Sequence, residues 1–217
     1  MVLSRIPRIG IGGPVGSGKS LLIERMVPIL HDRGYTSGII SNDVISKEDA
    51  DRIRSTLSTK LGIVPEDLVV GLATGGCPHT AVREDPSMNL AVIEEMEQSH
   101  PELDIIIVES GGDNITTTFS PMLADYFMYV IDVAGGDKYP RKGGLGIQGC
   151  DLLVINKIDL APYVDASLDV MKKDSMRIRG QRPFLMADCR HNTGVDSIVD
   201  RIISDILFDQ TPKAHMQ

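Results

Sequence analysis

The chain has 217 residues, 42% hydrophobic and 24% charged, with a formal net charge of −8; that is enough for one ordinary globular α/β domain and short for two. The acidic balance disfavours nucleic acid and anionic membranes as main partners, since both demand a basic face. No apolar run approaches the ~20 residues of a membrane span, the N-terminus lacks a signal-peptide core, and Cys77, Cys150 and Cys189 are too scattered for a disulfide framework, so a cytoplasmic location is expected.

In chain order, Ile9-Gly10-Ile11 predicts the end of a first strand. It empties into Gly13-Pro14-Val15-Gly16-Ser17-Gly18-Lys19-Ser20, which fits G-x-x-x-x-G-K-[ST]. Leu21 to Met26 then opens a helix expected to stop near Gly34. Glycines let backbone N–H groups turn inward around an anion, and the following helix presents its positive end to the same phosphates. Lys19 reaches the β- and γ-phosphates and the Ser20 hydroxyl sits on Mg²⁺, so the chain binds a nucleoside triphosphate. Ile39-Ile40 and Val69-Val70 mark the next strands, the first leading to Asp43, a candidate near the metal. Asp85-Pro86 opens a helix through Met96.

Ile105 to Val108 reads as a buried strand ending in Glu109, with Gly112 three residues on. A carboxylate there holds Mg²⁺ directly or through water, and Gly112 is placed to donate its N–H to the γ-phosphate. Met128 to Ile131, Leu152 to Ile155 and Phe184 to Met186 are further strands. Gly135 to Gly149 between them reads as a long glycine-rich loop, either a solvated connection or a mobile surface for GTP or a partner. A last amphipathic helix runs from Val195 to Leu207, and Thr211 to Gln217 reads as a frayed tail. The methionines fall singly within apolar patterns and read as core filler, and Cys150 and Cys189 as small apolar residues. Alternating strand and helix patterns predict a single α/β domain over 1–217 with core about 8–207, a doubly wound, mainly parallel sheet with helices on both faces.

Two motifs carry the specificity. Asn156-Lys157-Ile158-Asp159 follows the Leu152 strand. The Asp159 carboxylate can accept both the N1–H and the exocyclic amine of guanine, a donor pair adenine lacks; Asn156 braces the loop and the Lys157 stem lies along the base. GTP is therefore favoured over ATP. Cys77 and His79, separated by Pro78, can face one metal ion. Two ligands do not close a site, but a two-fold dimer doubles them. The doubled set suits Zn²⁺ when tetrahedral and Ni²⁺ when square-planar, and the spacing does not choose between them.

Four blocks together closely resemble the UreG family of urease accessory proteins: Ser41-Asn42-Asp43 leading to Lys47-Glu48-Asp49-Ala50, Gly75 to Thr80, Glu109-Ser110-Gly111-Gly112-Asp113-Asn114, and Gly136 to Gly144. The likeness runs from about Arg8 to about Leu207, and the hydrogenase GTPase HypB is a poorer match. It implies a SIMIBI-type GTPase that helps insert nickel into urease. Cys77 and His79 then bind Ni²⁺ across a GTP-stabilised homodimer, and the partners are the urease apoprotein, UreF, UreD/UreH and UreE. Departures are Val44-Ile45-Ser46 for an aromatic residue and Thr, Ser20 for the commoner Thr, and Phe184 to Cys189 without the usual Thr-Asn pair. The last leaves Asp188 without a role. Met1 to Pro7 holds no histidine, so nickel storage by an N-terminal tail is not expected. No glutamine stands in the water-positioning place after the Glu109 strand, so slow intrinsic turnover is expected. The rival readings are a GTPase serving hydrogenase or another metalloenzyme, and a GTP-dependent interaction module in which Cys77-Pro78-His79 only shapes a turn.

Overall fold

The apolar runs become the strands of one sheet. The computed structural model describes residues 5–43, 47–75, 80–112 and 118–207. Strands β1 (Arg8–Gly12), β2 (Ser37–Asp43), β3 (Val69–Ala73), β4 (Ile105–Glu109), β5 (Tyr126–Asp132), β6 (Leu152–Asn156) and β7 (Phe184–Met186) pair in the order β3-β2-β4-β1-β5-β6-β7. Every pairing is parallel. The chain lays β2, β3 and β4 on one side of β1 and then crosses to β5 on the other. The carboxyl edge beside β1 is thus where the winding reverses, the usual place for a ligand in such sheets.

The helices are α1 (Lys19–Asp32), α2 (Glu48–Arg54), α3 (Ser87–Ser99), α4 (Tyr139–Lys142), α5 (Leu145–Gly149), α6 (Leu168–Arg179) and α7 (Val195–Ile202). Strand alternation assigns the two faces. In β5 and β6, Met128, Val130, Leu152 and Val154 join the larger core with α1 and α7, while Tyr129, Ile131, Leu153 and Ile155 join a smaller one with Ile147 and Met171. Helix α1 ends as expected at Gly34, whose φ of 89° lets its N–H reach the His31 carbonyl at 2.8 Å while the Tyr35 N–H reaches Leu30 at 3.0 Å. Pro86 caps α3 from outside, and α7 continues through wider helical turns to Leu207. Among the described residues no helix is long and apolar enough to cross a membrane.

The structure corrects two readings, the 135–149 loop and the methionines, and adds helices α2 and α6, which the sequence did not mark. The stretch expected to be a loop, 135–149, folds into α4 and α5, with Pro140 and Ile147 buried. It is held by the buried Arg179 of α6, whose guanidinium donates to the carbonyls of Ile147, Cys150, Asp151 and Pro183. Helices α2 and α6 lacked an apolar period: α6 buries Met171, Ser175 and Arg179, four residues apart but only one of them apolar. The methionines divide, since Met26, Met96, Met128 and Met171 are buried but Met88, Met122 and Met176 are each more than half exposed. The tail 211–217 and Val44, Ile45 and Ser46 lie outside the described residues.

Candidate functional site: a two-part cleft at the carboxyl edge

The glycine-rich loop leaves β1 at the carboxyl edge and enters α1 through Gly18, at φ 97°. A side chain there would be strained, and its Cβ would lie 2.3 Å from the Asn156 Nδ2. The glycine therefore lets the loop close onto the Asn156-Lys157-Ile158-Asp159 loop. Asn156, 1% exposed, makes that junction: its Nδ2 donates to the Ser17 carbonyl at 2.9 Å and its Oδ1 accepts from the Cys189 N–H at 3.1 Å. Lys157, in the left-handed region at φ 60°, lies back over the loop, with its Nζ 2.5 Å from the Gly16 carbonyl and 3.2 Å from Asp132.

The phosphate end is a cavity of about 500 Å³ lined by Val15, Gly16, Gly18, Lys19, Ser20, Leu21, Asp43, Glu109 and Gly112, with Asp49 and Arg52 of α2. The base end, about 230 Å³, is lined by Gly18, Leu21, Asn156, Lys157, Asp159, Leu160, Asp188 and Arg190. Gly18 and Leu21 line both, so the two form one cleft running from Glu109 to Asp159. Lys19 donates to the carbonyls of Gly13 at 2.9 Å and Pro14 at 3.1 Å, which keeps its ammonium over the loop. Gly112 stands against the largely exposed Val15 at the rim.

Strand register builds the acidic centre. Glu109 is opposite Ser41 on β2 and Ile11 on β1. Its buried carboxylate accepts from the Ser20 hydroxyl at 2.6 Å and from the Ser41 hydroxyl at 2.8 Å. Burial pushes its pKa up, against the opposing pull of the Ser20 hydrogen bond, the Lys19 charge and the Ser41 hydrogen bond. Asp43 ends β2 beside this group, its carbonyl accepting from Thr74. A hydroxyl and two carboxylates grouped at the phosphate end form the all-oxygen donor set that Mg²⁺ takes.

Sequence reasoning thus placed Lys19, Ser20, Asp43, Glu109, Asn156, Lys157 and Asp159 on one cleft, and the structure brings them together. It missed Ser41, Asp132, Asp49 and Arg52. Asp132 carried the signal that marked Glu109, an acid ending an apolar strand; it accepts from Ala134 and Gly135 N–H groups as well as pairing with Lys157. Asp188, unassigned from sequence, caps its own turn by accepting from the N–H groups of Arg190 and His191 and from the His191 ring. Cys150 and Cys189 are buried, which pushes their thiols up to about 11 and about 12, so they stay protonated as small apolar groups. Cys77, Pro78, His79, Asp113 and Asn114 lie outside the described residues.

Comparison with known proteins agrees with this geometry. The model of the CobW/HypB/UreG nucleotide-binding domain matches residues 7–186. The urease accessory protein UreG of Cenarchaeum symbiosum (strain A) is 67% identical over 210 residues, covering 97% of this chain and 98% of that protein. The protein of the same name from Yersinia pestis is 57% identical, covering 94% and 91%. Among solved structures, hydrogenase maturation factor HypB from Archaeoglobus fulgidus superposes with a TM-score of 0.71 at 25% identity, covering 92% of this chain and 89% of that one. HypB from Helicobacter pylori, crystallised in complex with nickel, shares the fold with a TM-score of 0.76 at 16% identity, covering 92% and 86%. By this agreement of family model and near-full-length relatives, the chain belongs to the CobW/HypB/UreG family and, within it, to the UreG group of urease accessory proteins.

Proposed function

We propose that this chain is a GTP-hydrolysing nickel chaperone for urease maturation, in which GTP pairs two copies around one nickel ion. The observation that carries the nucleotide half is the continuous cleft with Glu109, Ser20 and Lys19 at one end and Asp159 at the other. Lys19 counters charge on the β/γ-phosphates. Ser20, Asp43 and Glu109 would hold Mg²⁺, which would supply further compensation of phosphate charge. Gly13, Pro14, Val15, Gly16, Ser17 and Gly18 cradle the phosphates, Gly112 donates to the γ-phosphate, and Asn156, Lys157 and Asp159 hold guanine. With no glutamine to position water, turnover is slow and serves as a switch.

The metal half rests on Cys77 and His79, two donors per chain, and on membership of the UreG group. Two copies supply two thiolates and two imidazoles, a set Ni²⁺ accepts in square-planar form, with Zn²⁺ as competitor. The urease apoprotein and the accessory proteins UreF, UreD/UreH and UreE are the partners on this reading, which sets the single-domain chain in the cytoplasm. Equilibrium dialysis with Ni²⁺, run beside light scattering with a nonhydrolysable GTP analogue and Mg²⁺, tests it. One nickel per dimer is expected. Cys77→Ala loses the metal and the metal-driven dimer while keeping nucleotide, and uptake weakens as pH falls because the thiolate must form. One nickel held tightly per monomer, or undiminished nickel binding by Cys77→Ala, overturns the shared site.

A further inference from the structure

Asn42 on β2 and Asn89 on α3 form a reciprocal amide pair in the interior, 2% and 0% exposed. Each Nδ2 donates to the other's Oδ1 at 3.0 Å. The second donor hydrogens point outward in opposite directions, from Asn42 to the main-chain carbonyl of Glu109 at 3.0 Å and from Asn89 to that of Ala81 at 3.0 Å. Both outer partners only accept, so neither amide can be reversed without setting oxygen against oxygen. The pair is therefore locked, with all four amide hydrogens used.

Its two ends reach different parts of the molecule. One is the backbone of Glu109, whose carboxylate receives Ser20 and Ser41, and Asn42 itself precedes Asp43. The other is the short helical turn Thr80–Glu84, which begins one residue after His79 in the sequence and is pinned again by the Ser120 N–H on the Val82 carbonyl at 2.9 Å. Two apolar side chains of similar shape could replace the amide pair itself, but they would leave the Glu109 and Ala81 carbonyls without these donors. A fully used polar pair instead ties two backbone segments together in one geometry.

We propose that Asn42 and Asn89 are positioning residues that carry the state of the phosphate end of the cleft to the turn 80–84, which follows Cys77-Pro78-His79 in the sequence. They touch neither nucleotide nor metal. Ligand engaging the group Ser20, Asp43 and Glu109 would move the ends of β2 and β4, and the amide pair would carry Ala81 with them. This inference rests on the nickel reading above for its purpose, but not for its measurement.

The test compares the full-length chain with an Asn42→Leu/Asn89→Leu double variant, each with and without Mg²⁺ and a nonhydrolysable GTP analogue. Two quantities are read: hydrogen exchange of the 80–84 amides, and nickel affinity by dialysis. In the natural chain the nucleotide is expected to change both by about 5-fold or more, the lower end of ordinary coupling between sites. In the double variant nucleotide affinity holds within about 3-fold, while both responses shrink to within about 2-fold. If the double variant does not fold, Asn89→Asp keeps the shape but loses the amide donor to Ala81, and it is read in the same way. Wild-type responses in the folded variant, or no exchange response at 80–84 in the natural chain, overturn the proposal. An exchange response at 80–84 with nickel affinity indifferent to nucleotide sinks the nickel reading and leaves the coupling standing.

Discussion

Asp159 lies at the base end of the cleft, and its neighbours explain how a single carboxylate can govern nucleotide choice. Asn156 fixes the loop to Ser17, Lys157 crosses to Gly16, and Asp132 anchors Lys157 from the adjacent strand. The loop is thus fastened to the glycine-rich loop, and on the proposed reading this sets the height of the carboxylate against a base. Asp159→Asn replaces an acceptor pair by one acceptor and one donor. GTP affinity is expected to drop roughly 10- to 100-fold, the loss of one or two charge-assisted hydrogen bonds, and XTP, whose C2 oxygen suits an amide donor, gains. Competition binding of GTP, ATP and XTP measures this, and equal wild-type affinity for GTP and ATP would remove the guanine assignment. Residues whose chemistry needs fixed neighbours, such as Gly13 to Ser20 and Asn156 to Asp159, could be read from the chain alone. Ser41 and Asp132 could not be assigned so directly, because parallel register across strands far apart in sequence brings Ser41 to Glu109 and Asp132 to Asn156.

At the scale of elements, the end of α3 is pinned by charge. His100, just past Ser99, places its Nδ1 2.9 Å from Glu102 and its Nε2 2.8 Å from Asp67 in the turn before β3, with Glu95 lining the same hollow. Hydrogen bonds to Glu102 and then Asp67 raise the His100 pKa above 6.5, and His100 in return lowers those of Asp67 and Glu102. A raised histidine contributes stability fully below its unfolded pKa and loses it as pH climbs through the folded value; the lowered acids lose theirs as pH falls through their own folded values. The contribution is therefore largest between about pH 4.5 and 6.5. Thermal melts of the natural chain and His100→Gln across pH 4 to 9 should differ most in that window and converge above it; a gap independent of pH would mean that the imidazole only packs. Elements with a clear apolar period, such as α7 with Val195, Ile198, Val199 and Ile202 buried, were legible in the sequence. Helix α6 was not, because the face it buries carries Ser175 and an arginine as well as Met171. The 135–149 stretch looked like a loop because its glycines hide the anchoring by Arg179, a residue 30 or more positions away.

For the whole molecule, the cleft joins parts of the chain separated by more than a hundred residues. The cradle follows β1, the acidic centre ends β4, and the base loop ends β6, so nucleotide bound along it bridges both sides of the sheet's winding reversal. A ligand that binds only the folded chain stabilises it by mass action, about 2.7 kcal/mol at a hundred times its Kd. For a domain of this size each kcal/mol raises Tm by roughly 2–4 °C, so a nonhydrolysable GTP analogue with Mg²⁺ should shift the melt by roughly 5–10 °C. Chelating Mg²⁺ should reduce that shift, since Glu109 then sits buried beside the phosphates with Lys19 but no divalent cation to offset the charge. ATP at the same concentration should produce little shift, and Asp159→Asn should transfer the effect from GTP to XTP. If the analogue moves Tm equally with and without Mg²⁺, then Ser20, Asp43 and Glu109 do not form the metal site, and the buried carboxylate serves only to fasten β4 to α1 and β2.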